Sequence, residues 1–373
     1  MLRLLTAGES HGEALVAILE GMPSNLRIST DFINQELKRR QHFFGRGKRQ
    51  EIEQDTVKIL SGVIKGRTAG GPISLIIKNR DFSIDKLPSL SSPRPGHADL
   101  TGVLKYNLKD IGLVLERSSA RETATRVAIG AICKELLLNF GVEIFSYVLA
   151  IGKIEVSKIE TPDKIRALLR NSLLNCPDKK KEQKMLGLIE NIRARGDTLG
   201  GCFGVVAKGV CVGLGSFSQP DRRLSARLPG ALMSIPAIKA VEIGNGISSS
   251  KNIGSNVHDE IFYTKQKGFF RKTNHSGGIE GGITTGEPIV LRCYMKPIST
   301  LMKPLISVDI ITKKPKRAEI IRSDVCAVPS AGIVAEAVVS YILADAYLEK
   351  FGSDSLEEMK RNFKGYLRQL KNF

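Results

Sequence analysis

The 373-residue chain has no tryptophan, and aromatic residues make up only 6% of it. No basic run is interleaved with aromatics of the kind that stacks nucleic-acid bases. Cysteine is sparse and forms no C-x-x-C pair: Cys133, Cys176, Cys202, Cys211, Cys293 and Cys326 are scattered. Reduced, mostly buried thiols are expected, not a disulfide framework. The five histidines are dispersed too, so no metal site is expected. No stretch reaches the ~18 uncharged apolar residues of a membrane span. The apolar run CAVPSAGIVAEAVVSYILADAYL is broken by Pro329, Ser330 and Glu336. No apolar core of signal-peptide length comes before the polar GESHG, Gly8 to Gly12. These features set the expectation of a cytoplasmic protein with no membrane partner.

Acid is the other shortage. Asp and Glu total 38 against 56 Lys and Arg, a net charge of +18. Such an excess calls for an anionic partner. Nucleic acid is one candidate, and a multiply charged small substrate with a phosphate-bearing cofactor is another. Part of the excess, such as KKKEQK (Lys179 to Lys184), is solvated surface.

What is present includes a repeat. Residues 62–75, GVIKGRTAGGPISL, resemble residues 278–291, GIEGGITTGEPIVL. Gly62, Gly66, Thr68, Gly70, Pro72, Ile73 and Leu75 recur as Gly278, Gly282, Thr284, Gly286, Pro288, Ile289 and Leu291. Each copy reads as a glycine-rich turn running into a strand of alternating apolar residues. Upstream, GESHG resembles GDTLG (196–200), and Gly21 and Leu26 recur as Gly209 and Leu214. Downstream, Arg117-Ser118-Ser119 precedes the helical ARETATRVAIGAICKELL, and Arg322-Ser323-Asp324 precedes the helical SAGIVAEAVVSYILADAYL. A duplicated α/β unit is expected, with halves at about 1–150 and 190–350. The insert at about 150–195 reads as a strand (Ile151 to Val156) and two helical segments. No Gly/Ser/Pro-rich linker separates the halves, so one domain spanning 1–373 is expected.

GESHG fits the G-x-S-x-G pattern of a nucleophile elbow. That motif needs an earlier strand–helix loop for its oxyanion hole, and only seven residues precede Gly8. GDTLG keeps the glycines and a hydroxyl but has Leu199 where His11 stands. Ser10 therefore reads as framework and His11 as the added element.

Three further segments carry chemistry. Ser119 and Glu122 fit a capping box at the start of a helix. Arg117, Arg121 and Arg126 crowd that positive end, where they are unfavourable unless an anion binds. An ordinary capped helix with solvated arginines is the bland alternative. Lys38 to Arg49, KRRQHFFGRGKR, ends a helix in cations and continues as a Gly/Arg loop, read either as closing on a polyanion or as solvated. In SSPRPGHADL, prolines and a glycine precede His97, and Asp99 follows two positions later. A stiff loop with one imidazole suits a positioned proton donor or acceptor.

GESHG, RRQ…GRG, RPGHAD, RSSARET, SIPAIKAVEIG, GGIEGGITTG, KPIST and RSDVC occur in this order, and together they closely resemble chorismate synthase from residue 1 to about 350. The resemblance implies an α+β fold, a β-α-β sandwich of two antiparallel sheets around a helical layer with a pseudo-two-fold duplication, assembled as a homotetramer. It implies a trans 1,4-elimination of phosphate from 5-enolpyruvylshikimate 3-phosphate, giving chorismate and requiring reduced FMN. His11 and His97 match the family's two catalytic histidines. Asp324 matches the acid that works beside the flavin in ring deprotonation. Arg117, Ser118, Ser119, Pro236, Ala237, Gly281, Lys296, Pro297, Ile298, Ser299, Thr300 and Arg322 match cofactor-binding positions. Arg40 and Arg46 match phosphate-contacting residues, to which we add Arg49 and Arg121. Two departures stand out. Gln41-His42-Phe43-Phe44 precedes Gly45 where many members have Gly-Gly-Tyr or similar, and Arg322-Ser323-Asp324 replaces an R-H-D. With no large insertion for a fused reductase, an external flavin reductase is expected, with NADPH as an indirect reductant.

Overall fold

The computed structural model describes residues 2–46, 54–157, 161–321 and 324–373. It mixes helix and strand in the α+β manner. The strands used below are β1 Arg3–Ala7, β2 Ala14–Glu20, β3 Val57–Ser61, β4 Val63–Ile64, β5 Arg67–Thr68, β6 Ile73–Lys78, β7 Glu143–Ile151, β8 Ile154–Glu155, β9 Gly201–Lys208, β10 Ile238–Ile243, β11 Ile261–Thr264, β12 Gly268–Arg271, β13 Ile279–Glu280, β14 Ile283–Thr284 and β15 Ile289–Met295. The helices used below are α1 Thr30–Gln41, α2 Asp99–Tyr106, α3 Ile111–Ser118, α4 Thr123–Leu138, α5 Pro162–Leu168, α6 Lys179–Ala194, α7 Leu224–Met233, α8 Val328–Phe351 and α9 Leu356–Asn372.

The two largest sheets are antiparallel, with strand orders β1-β2-β6-β3 and β10-β15-β9-β7-β8. Period-two alternation explains the first. Leu15, Ala17 and Leu19 of β2 and Ile73, Leu75 and Ile77 of β6 are buried, while their neighbours Ile18 and Ile76 face the other way. Helices cover the buried faces. α4 packs on β2 and β6 of the first sheet and on β7 of the second, and α8 packs on β7, β9, α1, α4 and α7. Because α8 is covered on all sides, its sequence is apolar all round instead of striped. By length and composition it could cross a membrane, but 89% of its most apolar window is buried in this fold. α4 and α8 approach closely at Gly130, where a Cβ would lie 2.2 Å from that of Ala337.

The two halves share a chain path. In order, β1, β2, α1, β3, the β4–β5 hairpin, β6 and α4 correspond to β7, β9, α7, β10, the β13–β14 hairpin, β15 and α8, while β8, α5, α6 and the β11–β12 hairpin are additions in the second. The side-chain bonds match as well. Thr68 Oγ1 accepts from Leu26 N at 2.9 Å and donates to Pro23 O at 2.5 Å. Thr284 Oγ1 accepts from Leu214 N at 2.9 Å and donates to Cys211 O at 2.7 Å. Gly62 and Gly278 have φ +79° and +78°, and a Cβ on either would lie 2.5 Å from the carbonyl of Pro72 or Pro288. Only glycine fits there.

Two local expectations are corrected. The strand expected at Ile151 to Val156 is the end of β7 and the short β8, because Gly152 at φ +56° turns the chain between them. The capping box does not form. Ser119 Oγ accepts from Arg121 N at 3.3 Å within a short 3-10 turn, Ala120–Glu122, whereas Glu122 bonds Arg126 Nε at 3.0 Å.

A buried charge network ties the layers together. Glu336 of α8 is 0% exposed and accepts from Arg39 at 2.9 Å, from Lys134 at 2.5 Å, and from Ser146 N and Oγ at 2.9 and 2.7 Å. Glu36 of α1 meets the same Arg39 and Lys134.

Candidate active site

The GESHG segment connects β1 to β2. Gly8 has φ +104°, and a Cβ there would lie 2.3 Å from Ala14 O, so the tight return to β2 requires glycine. Ser10 is buried; its N donates to Glu116 O at 3.1 Å and its hydroxyl lies 3.2 Å from that of Ser119. The imidazole of His11 turns to Glu116 instead, with Nδ1 2.7 Å from Oε1, while Nε2 lies 3.8 Å from Asp81 Oδ2. Histidine and hydroxyl thus have different partners, the opposite of a Ser–His nucleophile pair. Glu116 comes from the last turn of α3, which also carries Arg117 and Ser118 and ends at Ser119. Arg117 donates to Thr6 O and Oγ1 and to Gly8 O, bracing the loop.

Beside this loop lies an arginine cluster. Asn79 joins the two, donating to Gly12 O at 2.7 Å and accepting from Arg121 Nε at 2.9 Å. Arg121 Nη1 donates to Asp55 Oδ1 at 2.6 Å, and Arg40 Nη1 lies 3.4 Å from Asp55 Oδ2. Arg40, at the end of α1, also bonds Thr123 Oγ1 and Ala120 O. Burial lowers the pKa of Arg40 to about 10; Asp55 opposes this, and neighbouring Arg46 and Arg121 add to it. Arg46 pairs with Asp324 at 2.7 Å, and its buried Nε has no hydrogen-bond partner among the described residues. Three guanidiniums therefore crowd two carboxylates, Asp55 and Asp324, in a dry setting that favours a further anion.

A second group surrounds His97. Its Nδ1 is 2.5 Å from Asp99 Oδ1, and Arg94 grips the same carboxylate at 2.8 and 2.9 Å while donating to Thr300 Oγ1 at 2.6 Å. Burial pulls the Asp99 pKa up, but hydrogen bonds from Arg94 and His97 outweigh it and hold the carboxyl well below the usual range. Lys296 donates to Gly96 O and Ser299 Oγ, and its N bonds Ala237 O at 3.0 Å. Ala237, next to Pro236, sits at φ +68°, strained for a residue with a Cβ. Burial, then Lys239, lowers the Lys296 pKa. Ile298, after Pro297, accepts from Thr198 Oγ1 of the GDTLG loop at 2.7 Å.

His97 is thus brought together with Ala237 and Lys296 to Thr300, and His11 with Ser119, Glu116 and the arginines. Gly281 stands in the β13–β14 turn, which contacts Arg223 and Leu224 at the start of α7 and Arg271 of β12. Arg49 and Arg322 lie outside the described residues. Sequence reasoning missed Glu116, Asp55 and Asn79 as members of the site. Glu116 abuts the Arg117 motif, but only the fold reveals that it faces His11.

Comparison with known proteins places these features in a family. A family model described as chorismate synthase matches residues 2–348. The chain is 51% identical to a chorismate synthase of Geotalea daltonii and 49% identical to chorismate synthase 2 of Bacillus cereus, with 100% of each chain covered. A solved structure titled as chorismate synthase is 44% identical and superposes with a TM-score of 0.84 over 100% of this chain and 99% of that one.

Proposed function

The chain belongs to the chorismate synthase family and is a carbon–oxygen lyase of that activity, and on this premise we propose which of its residues do the work. The reaction removes the 3-phosphate and a ring hydrogen from 5-enolpyruvylshikimate 3-phosphate, giving chorismate. The observation that carries our assignment is the convergence of Arg40 and Arg121 on buried Asp55, with Arg46 on Asp324, next to the His11 loop. A substrate with a phosphate and two carboxylates needs this density of forked cations. Arg40, Arg46 and Arg121 bind and orient it, with Arg49 added from its sequence position. His11 holds a proton at the departing phosphate, and a positioned imidazole there stabilises developing charge. Asp324, kept in place by Arg46, takes the ring proton. His97 manages a proton on the cofactor side.

The residues present fit a flavin mononucleotide. Ser118 Oγ is buried without a hydrogen-bond partner among the described residues, and Lys296 and Lys239 lie close together, with Lys296 Nζ donating to a carbonyl and a hydroxyl. Lys296 to Thr300, Ala237, Pro236, Ser118 and Ser119 would hold it, joined by Gly281 and Arg322. Arg117 serves the site indirectly, through the loop carbonyls it binds. Reduced FMN, when bound, supplies the electron density that eases loss of phosphate. The reductant is external in this reading, NADPH acting through a separate flavin reductase.

We further read the layers as a β-α-β sandwich built by pseudo-two-fold duplication. The shared chain path and the paired Thr68 and Thr284 bonds support it. A homotetramer in the cytoplasm is the assembly we propose. Leu5, Ile18 and Leu60, exposed on the outer face of the first sheet, give a subunit contact its apolar surface.

Phosphate release measured with reduced, oxidised and no FMN tests the whole reading. Release is expected with reduced FMN alone; equal rates in all three would overturn it.

A further inference from the structure

We propose that Glu116 is a positioning residue for His11, fixing which ring nitrogen reaches the reacting groups. The proposal rests on reading His11 as catalytic. Both oxygens of Glu116 end on that one residue: Oε2 accepts from the His11 backbone N–H at 2.6 Å, and Oε1 lies 2.7 Å from Nδ1. An ionised carboxylate offers acceptors only, so the Nδ1 proton points to Glu116 and the proton that His11 holds for the departing phosphate rides on Nε2; a ring that loses its Nδ1 proton is neutral and a far weaker acid. Nε2 faces Asp81 at 3.8 Å, beyond hydrogen-bond length.

The carboxylate is well placed to impose this choice. Glu116 is 5% exposed, so water competes poorly for its oxygens. The ring cannot flip without giving up the Nδ1 contact, and the backbone bond to the other oxygen keeps the carboxylate from turning away. The same helix end also fixes the loop through Ser10 N to Glu116 O at 3.1 Å and through Arg117 to Gly8 O at 3.1 Å. The ring therefore takes its position from the segment that carries the cofactor residues Arg117 to Ser119. His97 is held by the same device, but Arg94 shares the Asp99 carboxylate there. Among the described residues, both Glu116 oxygens serve His11 alone.

The test uses the full chain labelled with nitrogen-15 histidine, with His11→Ala identifying the His11 signals. In the parent protein His11 is expected to show a protonated Nδ1. In Glu116→Gln the amide nitrogen donates to Nδ1 while its oxygen keeps the backbone bond, so the ring should switch to the Nε2–H tautomer. Turnover in the phosphate-release assay should then fall about 10- to 100-fold, with KM unchanged because binding is not what is lost. Glu116→Asp, which keeps a carboxylate, should recover part of that loss, and it keeps the test open if the amide variant does not fold. An unchanged His11 tautomer in Glu116→Gln overturns the proposal, as does a KM effect without loss of kcat. A tautomer switch with full turnover also overturns it if His11→Ala is inactive. If His11→Ala is fully active, the catalytic reading of His11 is what falls.

Discussion

At the scale of single residues, the two histidines differ from Ser10, the neighbour of His11, in what they still have to offer. His11 and His97 each give Nδ1 to a buried carboxylate and keep Nε2. Ser10 is buried, its hydroxyl beside that of Ser119. His11→Ala and His97→Ala are each expected to lower kcat by roughly 10²- to 10⁴-fold, the usual range for a lost general acid or base. Circular dichroism should show the fold intact. Ser10→Ala should cost about 1 kcal/mol of stability, one hydrogen bond's worth, with a much smaller loss of rate. Complete inactivation of a folded Ser10→Ala would restore the nucleophile reading. The histidines were legible in the sequence because GESHG and RPGHAD surround them with glycine and proline. Glu116 and Asp55 were not. Their partners lie 105 and 66 positions away, and nothing local distinguishes a carboxylate that will be buried against them.

At the scale of elements, the α4–α8 crossing depends on one missing side chain. A Cβ on Gly130 would stand 2.2 Å from Ala337 Cβ, so the helices must part. Gly187, in α6, has nothing within 4 Å of the same construction. Alanine is favoured over glycine in helices by about 1 kcal/mol, so Gly187→Ala should stabilise. Gly130→Ala should instead destabilise by about 1–3 kcal/mol, as overpacked cores do. Chemical denaturation of the two variants checks the contrast; stabilisation of both would mean that the crossing yields freely. Helix α4 could be read from apolar spacing, and α8 from an apolar run too long and continuous for a strand. The turn at Gly152 could not, since apolar Ile151, Ile154 and Val156 flank it and hide the break. Ser119 and Glu122 matched a capping box in spacing, yet Arg126 took the glutamate.

At the scale of the molecule, buried charge links α1, α4, α8 and the second sheet. Burial raises the Glu336 pKa, but Arg39 and Lys134 overcome it and hold the carboxyl at about 2. A carboxyl depressed by folding stabilises the protein above its unfolded value of about 4.3 and loses that contribution as pH falls toward its folded value. Acid titration should therefore show stability declining between about pH 4.5 and 2. Glu336→Gln should flatten that decline, at a cost of about 3–5 kcal/mol at neutral pH, because Lys134 and Arg39 lose a buried partner. An unaltered acid transition in the variant would show that the network does not govern it. The matching glycines and threonines at 62–75 and 278–291 were visible in sequence because they answer to backbone geometry, which tolerates little substitution. The buried network was not, since its members look like ordinary surface charges on three separate helices.

Asp55 would give the proposed anion site a resting counter-ion that cannot diffuse away. On the proposed reading, an arriving phosphate does not meet bare cations; it changes places with a carboxylate already seated between Arg40 and Arg121. When phosphate departs, that carboxylate is at hand to take the guanidiniums back. The site then works as an ion exchanger with one tethered ion, able to attract a polyanion and still let its product go.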